Sequence, residues 1–79
     1  MTSNLKEWLA LNGYSQDNLN SVGKYGNSAI MKASREANLS IVDELISLNV
    51  DLNVKNIDGN SALWNACFGD SYACFEALV

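Results

Sequence analysis

Apolar residues in this chain recur at helical spacing. Leu5, Trp8, Leu9 and Leu11 form one stripe, which predicts a helix ending near residue 12, with Thr2 or Ser3 as its N-cap. Gly13 follows, suited to the left-handed closure of a helix. Residues 18–27, with Gly23 and Gly26, read as an extended, hairpin-like connection. A short helix is expected over 28–36 and a longer one over 40–48, the latter capped by Ser40. Residues 49–60 form a second connection, with Asp58-Gly59 as its turn signal. Two further helices are expected over 61–68 and 71–79, with Tyr72, Phe75 and Leu78 at core-like spacing in the last.

Laid out this way, the pattern repeats. Gly26-Asn27-Ser28-Ala29-Ile30-Met31-Lys32-Ala33 returns, 33 residues later and without a gap, as Gly59-Asn60-Ser61-Ala62-Leu63-Trp64-Asn65-Ala66. The same offset relates Leu19-Asn20 to Leu52-Asn53. A fixed period of this length marks stacked supersecondary units, each unable to bury its apolar face alone. Aligning Leu11-Asn12 with Leu48-Asn49 makes the first helix the second half of a repeat, followed by four extra residues near Tyr14 to Asp17. Residues 1–19 then read as an N-terminal half-repeat, 20–52 as a full repeat and 53–79 as an incomplete one.

The repeated octapeptide resembles the ankyrin signature Gly-x-Thr-Pro-Leu-His-x-Ala, and 33 is the ankyrin period. Leu39 to Ile46 is similar to the second helix of that family, and Leu48-Asn49-Val50-Asp51-Leu52-Asn53 to its entry into the hairpin. The likeness extends over nearly all the chain from Leu5 and implies an all-α, ankyrin-like solenoid of helix-turn-helix repeats joined by hairpin loops. Ser28 and Ser61 stand at the threonine position and retain an oxygen that can cap the helix. Ala29 and Ala62 replace the proline, and Met31 and Trp64 replace the histidine, so that residue's local hydrogen bond is lost. At the turn between paired helices the family's glycine is Ala37 in one copy and Asp70 in the other.

Composition narrows what such a chain can do. Five basic and nine acidic side chains give a net charge of −4, and the basic ones, Lys6, Lys24, Lys32, Arg35 and Lys55, are scattered in sequence, against a nucleic-acid partner. No apolar run is long enough to span a bilayer, and no basic start leads into an apolar core as in an export signal. With no histidine and no Cys-x-x-Cys, Cys67 and Cys74 read as small buried hydrophobes in a reducing, cytoplasmic setting, with neither metal nor disulfide. The absence of histidine also excludes a Ser-His or Cys-His nucleophile pair. Gly23 and Gly26 lack the Lys-Ser/Thr of a phosphate loop, and Asp43, Glu44 and Asp51 read as solvated charges. Trp8 and Trp64 are read as core. No catalysis and no cofactor are expected.

What remains is recognition of another protein. The resemblance implies docking on the loop tips and on the exposed edge of each inner helix. By register these positions are Val22, Lys24, Tyr25, Asn27, Lys32, Arg35 and Glu36 in the first unit, and Lys55, Ile57, Asp58, Asn60, Asn65 and Phe68 in the second. Tyr25, Arg35 and Phe68 stand out because aromatic and arginine side chains dominate interface energetics. Val79 aligns with Ile46, inside a helix, and Trp64, Phe68, Tyr72 and Phe75 leave the last unit apolar. The chain is therefore read as a piece of a longer array, with a short natural protein as the alternative. Other roles stay open: an immunity-type inhibitor that blocks an enzyme, a homo-oligomer joined through its uncapped last repeat, or the non-catalytic end of an enzyme.

Overall fold

The computed structural model describes residues 1–79. Five helices follow one another: α1 (Ser3–Leu11), α2 (Ala29–Arg35), α3 (Leu39–Ser47), α4 (Ala62–Phe68) and α5 (Tyr72–Leu78). The first connection is a 3-10 turn at Lys24–Gly26 closed by one isolated antiparallel bridge, Val22 to Ser28, so the expected hairpin forms without a strand.

Four of the five helices, α2 being the exception, start where a short polar side chain satisfies a first-turn amide. Thr2 Oγ1 accepts from the Leu5 amide at 3.2 Å, Ser61 Oγ from Trp64 at 3.3 Å, and Ser71 Oγ from Cys74 at 3.2 Å. Two expected caps are corrected. The cap of α3 is Asn38, whose Oδ1 receives the Ile41 amide at 3.5 Å, so the helix begins one residue before Ser40. Ser28 precedes α2 with extended backbone but caps nothing; its hydroxyl is buried and has no hydrogen-bond partner. The helices end on residues with positive φ. Gly13 has φ 78° after α1, Ala37 has 59° after α2, Asn49 has 61° after α3 and Asp70 has 56° after α4. Ala37 and Asp70 are the two positions where the family carries glycine, so the left-handed turn persists without it.

The inner helices α2 and α4 pack together, the outer helices α3 and α5 do the same, and each inner helix packs on its own outer helix. The second pair therefore stacks on the first, and α1 docks on α3. The core runs through the interface: Leu5 and Leu9 from α1, Ile30 and Met31 from α2, Ile41, Val42 and Leu45 from α3, and Cys74 from α5 are all fully enclosed. The spacings of four in Leu5/Leu9 and Ile41/Leu45 put each pair on one helix face. In α2 five of seven residues are buried, because this helix is covered on both sides.

Backbone hydrogen bonds fix the register of the first helix. Tyr14 N donates to Leu9 O as Val50 N does to Leu45 O, and Gly13 N to Ala10 O as Asn49 N to Ile46 O. Both pairs are 36 residues apart, so Gly13 matches Asn49 and the loop after α1 carries three extra residues, not four. The expectation that Cys67, Trp64 and Tyr72 belong to the core also fails. Cys67 is exposed, Trp64 is 44% exposed and Tyr72 75%. Thirty-three residues earlier, Met31 and Ser34 are buried where α4 packs on α2, whereas no further inner helix of these 79 residues packs on α4 over the equivalent Trp64 and Cys67.

Candidate functional site

The first connection, the inner helices and the end of α1 together enclose an open groove of about 360 Å³. Six of the sequence-selected positions line it: Lys24, Tyr25 and Asn27 from the connection, Lys32 and Arg35 from α2, and Asn65 from α4. Lys32 and Arg35 lie on one side of α2, while Ile30, Met31, Ala33 and Ser34 fill its buried sides.

The walls of the groove are held by hydrogen bonds between the two connections. Gly23 N donates to Asn27 O at 2.8 Å and, 33 residues later, Asn56 N donates to Asn60 O at 3.0 Å, closing both loops alike. The Asn56 side chain donates to Asn27 Oδ1 at 2.8 Å and accepts from the Asp58 and Asn60 amides at 3.0 Å. Ile57 N donates to Tyr25 O at 3.0 Å, and Asp51 N to Asn20 Oδ1 at 2.7 Å. These half-buried and exposed bonds tie one loop to the next. Asn27 and Asn60 thus carry structural bonds as well as their surface positions. Asn65 is 3% exposed and donates to Ser61 O at 2.8 Å, which sets its amide at the groove floor.

Three cations are presented in different ways. Arg35 lies over the Phe68 ring, 4.3 Å from its centroid, and Phe68 in turn stacks on Trp64 at 5.3 Å. Arg35 and Phe68 occupy the same register position in successive units. Lys24 Nζ sits 5.1 Å from the centroid of Tyr25, and Lys32 pairs with Glu36 at 3.2 Å on the same helix. Of the remaining selected positions, Val22, Lys55, Ile57 and Asp58 are exposed on the loops outside the groove, and Ile57 is 72% exposed.

Sequence reasoning missed Asn12, Tyr14 and Gly23, which also line the groove. Tyr14 stacks on Trp8 at 5.9 Å and its hydroxyl donates towards the Asn27 and Ser28 carbonyls, at 3.2 and 3.4 Å. Burial, aided by the carboxylate of Glu36, pushes the Tyr14 hydroxyl pKa upward, so the neutral, donating form is favoured. The sequence alignment, one residue out of register, assigned Tyr14 to the insertion and so missed its structural counterpart, Val50. No group of three or more His, Cys, Asp or Glu side chains converges as a metal site, and no helix is long and apolar enough to cross a membrane.

Comparison with known proteins agrees with this architecture. The family model described as ankyrin repeats (3 copies) matches residues 2–79. No protein of curated function gives a significant sequence match. Among solved structures, a chain in the complex of the Bd0816 predatory endopeptidase from Bdellovibrio bacteriovorus with immunity protein Bd3460 is similar at 34% identity and a TM-score of 0.77. The match covers 92% of this chain and 36% of that one. The human ASB11 ankyrin repeat domain is similar at 25% identity and a TM-score of 0.75, with 95% of this chain and 34% of that one covered. The chain spans about a third of the length of the structures it matches.

Proposed function

Since this chain belongs to the ankyrin-repeat family, whose repeats are protein-interaction modules, we propose that it binds a partner protein through the groove and the loop tips beside it, without catalysis and without a cofactor. The observation that carries this reading is the stacking of Arg35 on Phe68. Successive units there present an arginine and an aromatic ring side by side at an exposed edge, the residue types that anchor protein interfaces. The bonds between the connections support it, because a surface rigid before binding loses less entropy on association. Free thiols fit a reducing, cytoplasmic setting.

The test begins with affinity capture of a partner on the immobilised chain, followed by calorimetry with the purified pair. Tyr25→Ala combined with Arg35→Ala is expected to weaken binding by roughly tenfold or more while leaving helicity intact. Unchanged affinity would remove both residues from the interface.

The likeness to a chain from an endopeptidase–immunity protein complex favours a second reading, in which the partner is an enzyme and binding inhibits it. The captured protein would then lose activity in proportion to the chain added, whereas full activity at saturation would eliminate this reading. Self-association is a further reading, resting on the exposed Trp64, Phe68 and Tyr72, and light scattering across a concentration series tests it.

A further inference from the structure

We infer that the groove receives a short acidic segment of the partner, its carboxylates held by Arg35, Lys32 and Lys24. This rests on the protein-binding reading and deepens it by giving the partner's contact segment a chemistry.

The charge distribution carries the argument. The chain has nine acidic and five basic residues, yet three of the five basic ones line this groove and none of the acidic ones does. A net negative protein thus concentrates positive charge in one concavity, which focuses the field on an incoming anion. Glu36, near Tyr14 at the rim, holds Lys32 in an exposed pair on the helix surface that an incoming carboxylate can replace at little cost.

The geometry of Arg35 fits the same ligand. The Arg35 guanidinium carbon sits 4.3 Å from the Phe68 ring centroid, and no acidic side chain of the chain pairs with it. An arginine placed by a ring contact keeps its N–H fork for two parallel hydrogen bonds to one carboxylate. Asn65 is fixed at the groove floor by its bond to Ser61 O, adding a neutral polar contact. A long polyanion is disfavoured, because beyond the groove it meets a surface of net charge −4 less the three groove cations. A short carboxylate-bearing segment displaces Glu36 from Lys32 and then faces the three cations.

The inference is tested by titrating the isotope-labelled chain with a terminally blocked octaglutamate peptide at about 50 mM salt and following side-chain and amide resonances. Saturable shifts are expected at the Arg35 Nε–H, the Asn65 side-chain amide and the Tyr25 backbone. Raising the salt to about 500 mM should suppress them, since the Debye length falls several-fold. Arg35→Gln with Lys32→Gln should weaken binding roughly tenfold, whereas Lys6→Gln with Lys55→Gln, outside the groove, should leave it within about twofold. Circular dichroism of both double variants checks that each is folded. Absence of saturable shifts, or equal losses from the two pairs, overturns the assignment. So does tighter binding of a twelve-residue oligothymidylate at the same resonances, which would make nucleic acid the ligand. Failure here leaves the protein-binding reading standing, because capture and calorimetry test it separately.

Discussion

The carboxylate of Glu44, on α3, accepts both the backbone amide of Thr2 at 2.6 Å and its hydroxyl at 2.5 Å. Thr2 is itself the cap of α1, so a residue of α3 braces the start of the helix that packs on it. The Thr2 hydroxyl, then its amide, hold the Glu44 carboxyl below the ordinary glutamate range. A depressed folded pKa contributes stability that is present above the unfolded value and lost as pH falls through the folded one. Thermal melts are therefore expected to lose Tm as pH falls from about 5 through the glutamate range and below, with a weaker loss in Glu44→Gln. Identical acid limbs for the two proteins would refute the contribution.

Gly69 is needed for space. Its backbone is an ordinary φ of −76°, which any residue adopts, but a Cβ there would collide with the carbonyl carbon and oxygen of Arg35. Those are backbone atoms of the stacked inner helix and cannot swing aside. Gly69→Ala should destabilise the fold by roughly 1–3 kcal/mol despite alanine's better helix propensity. A denaturant midpoint equal to the parent's would show that the two inner helices can part at no cost.

The left-handed turns should both gain from glycine, but unequally. Ala37 pays the steric cost of φ 59° with a β-carbon, whereas Asp70, at 56°, is of a type that tolerates this region better. Ala37→Gly is expected to stabilise by about 0.5–1 kcal/mol, and Asp70→Gly by less. Chemical denaturation of the two single variants measures the difference; a loss of stability in Ala37→Gly contradicts the strain.

Ser28 and Ser61 occupy one register position and should behave differently. The Ser28 hydroxyl is buried without a partner, so Ser28→Ala removes an unsatisfied group and is expected to be neutral or stabilising. Ser61→Ala removes the cap on the Trp64 amide and is expected to cost about 1 kcal/mol. Equal effects at the two sites would mean that the sequence repeat, and not the local hydrogen bond, governs their contribution.

Much of this molecule was legible from the order of its residues. Helix positions followed from apolar spacing, because one face of a helix must be covered wherever it packs. The 33-residue period announced stacked units, and Thr2, Gly13, Ala37 and Asp70 fell at helix ends because ends need either a side-chain acceptor or a left-handed residue. Six of the groove-lining residues are at positions that the ankyrin resemblance, carried over by register, had selected. Other features depended on contacts between segments far apart in the chain. Tyr14 stands where the next unit has the aliphatic Val50, and only packing against the loop brings its hydroxyl to Asn27. Trp64 and Cys67 repeat Met31 and Ser34 in register yet differ in exposure, because burial at those positions comes from the next helix pair in the stack and not from the residue itself. Lys24, Lys32 and Arg35 come from the first connection and the helix that follows it, yet only the fold of that connection back along α2 turns all three into one concavity and leaves Lys6 and Lys55 outside it.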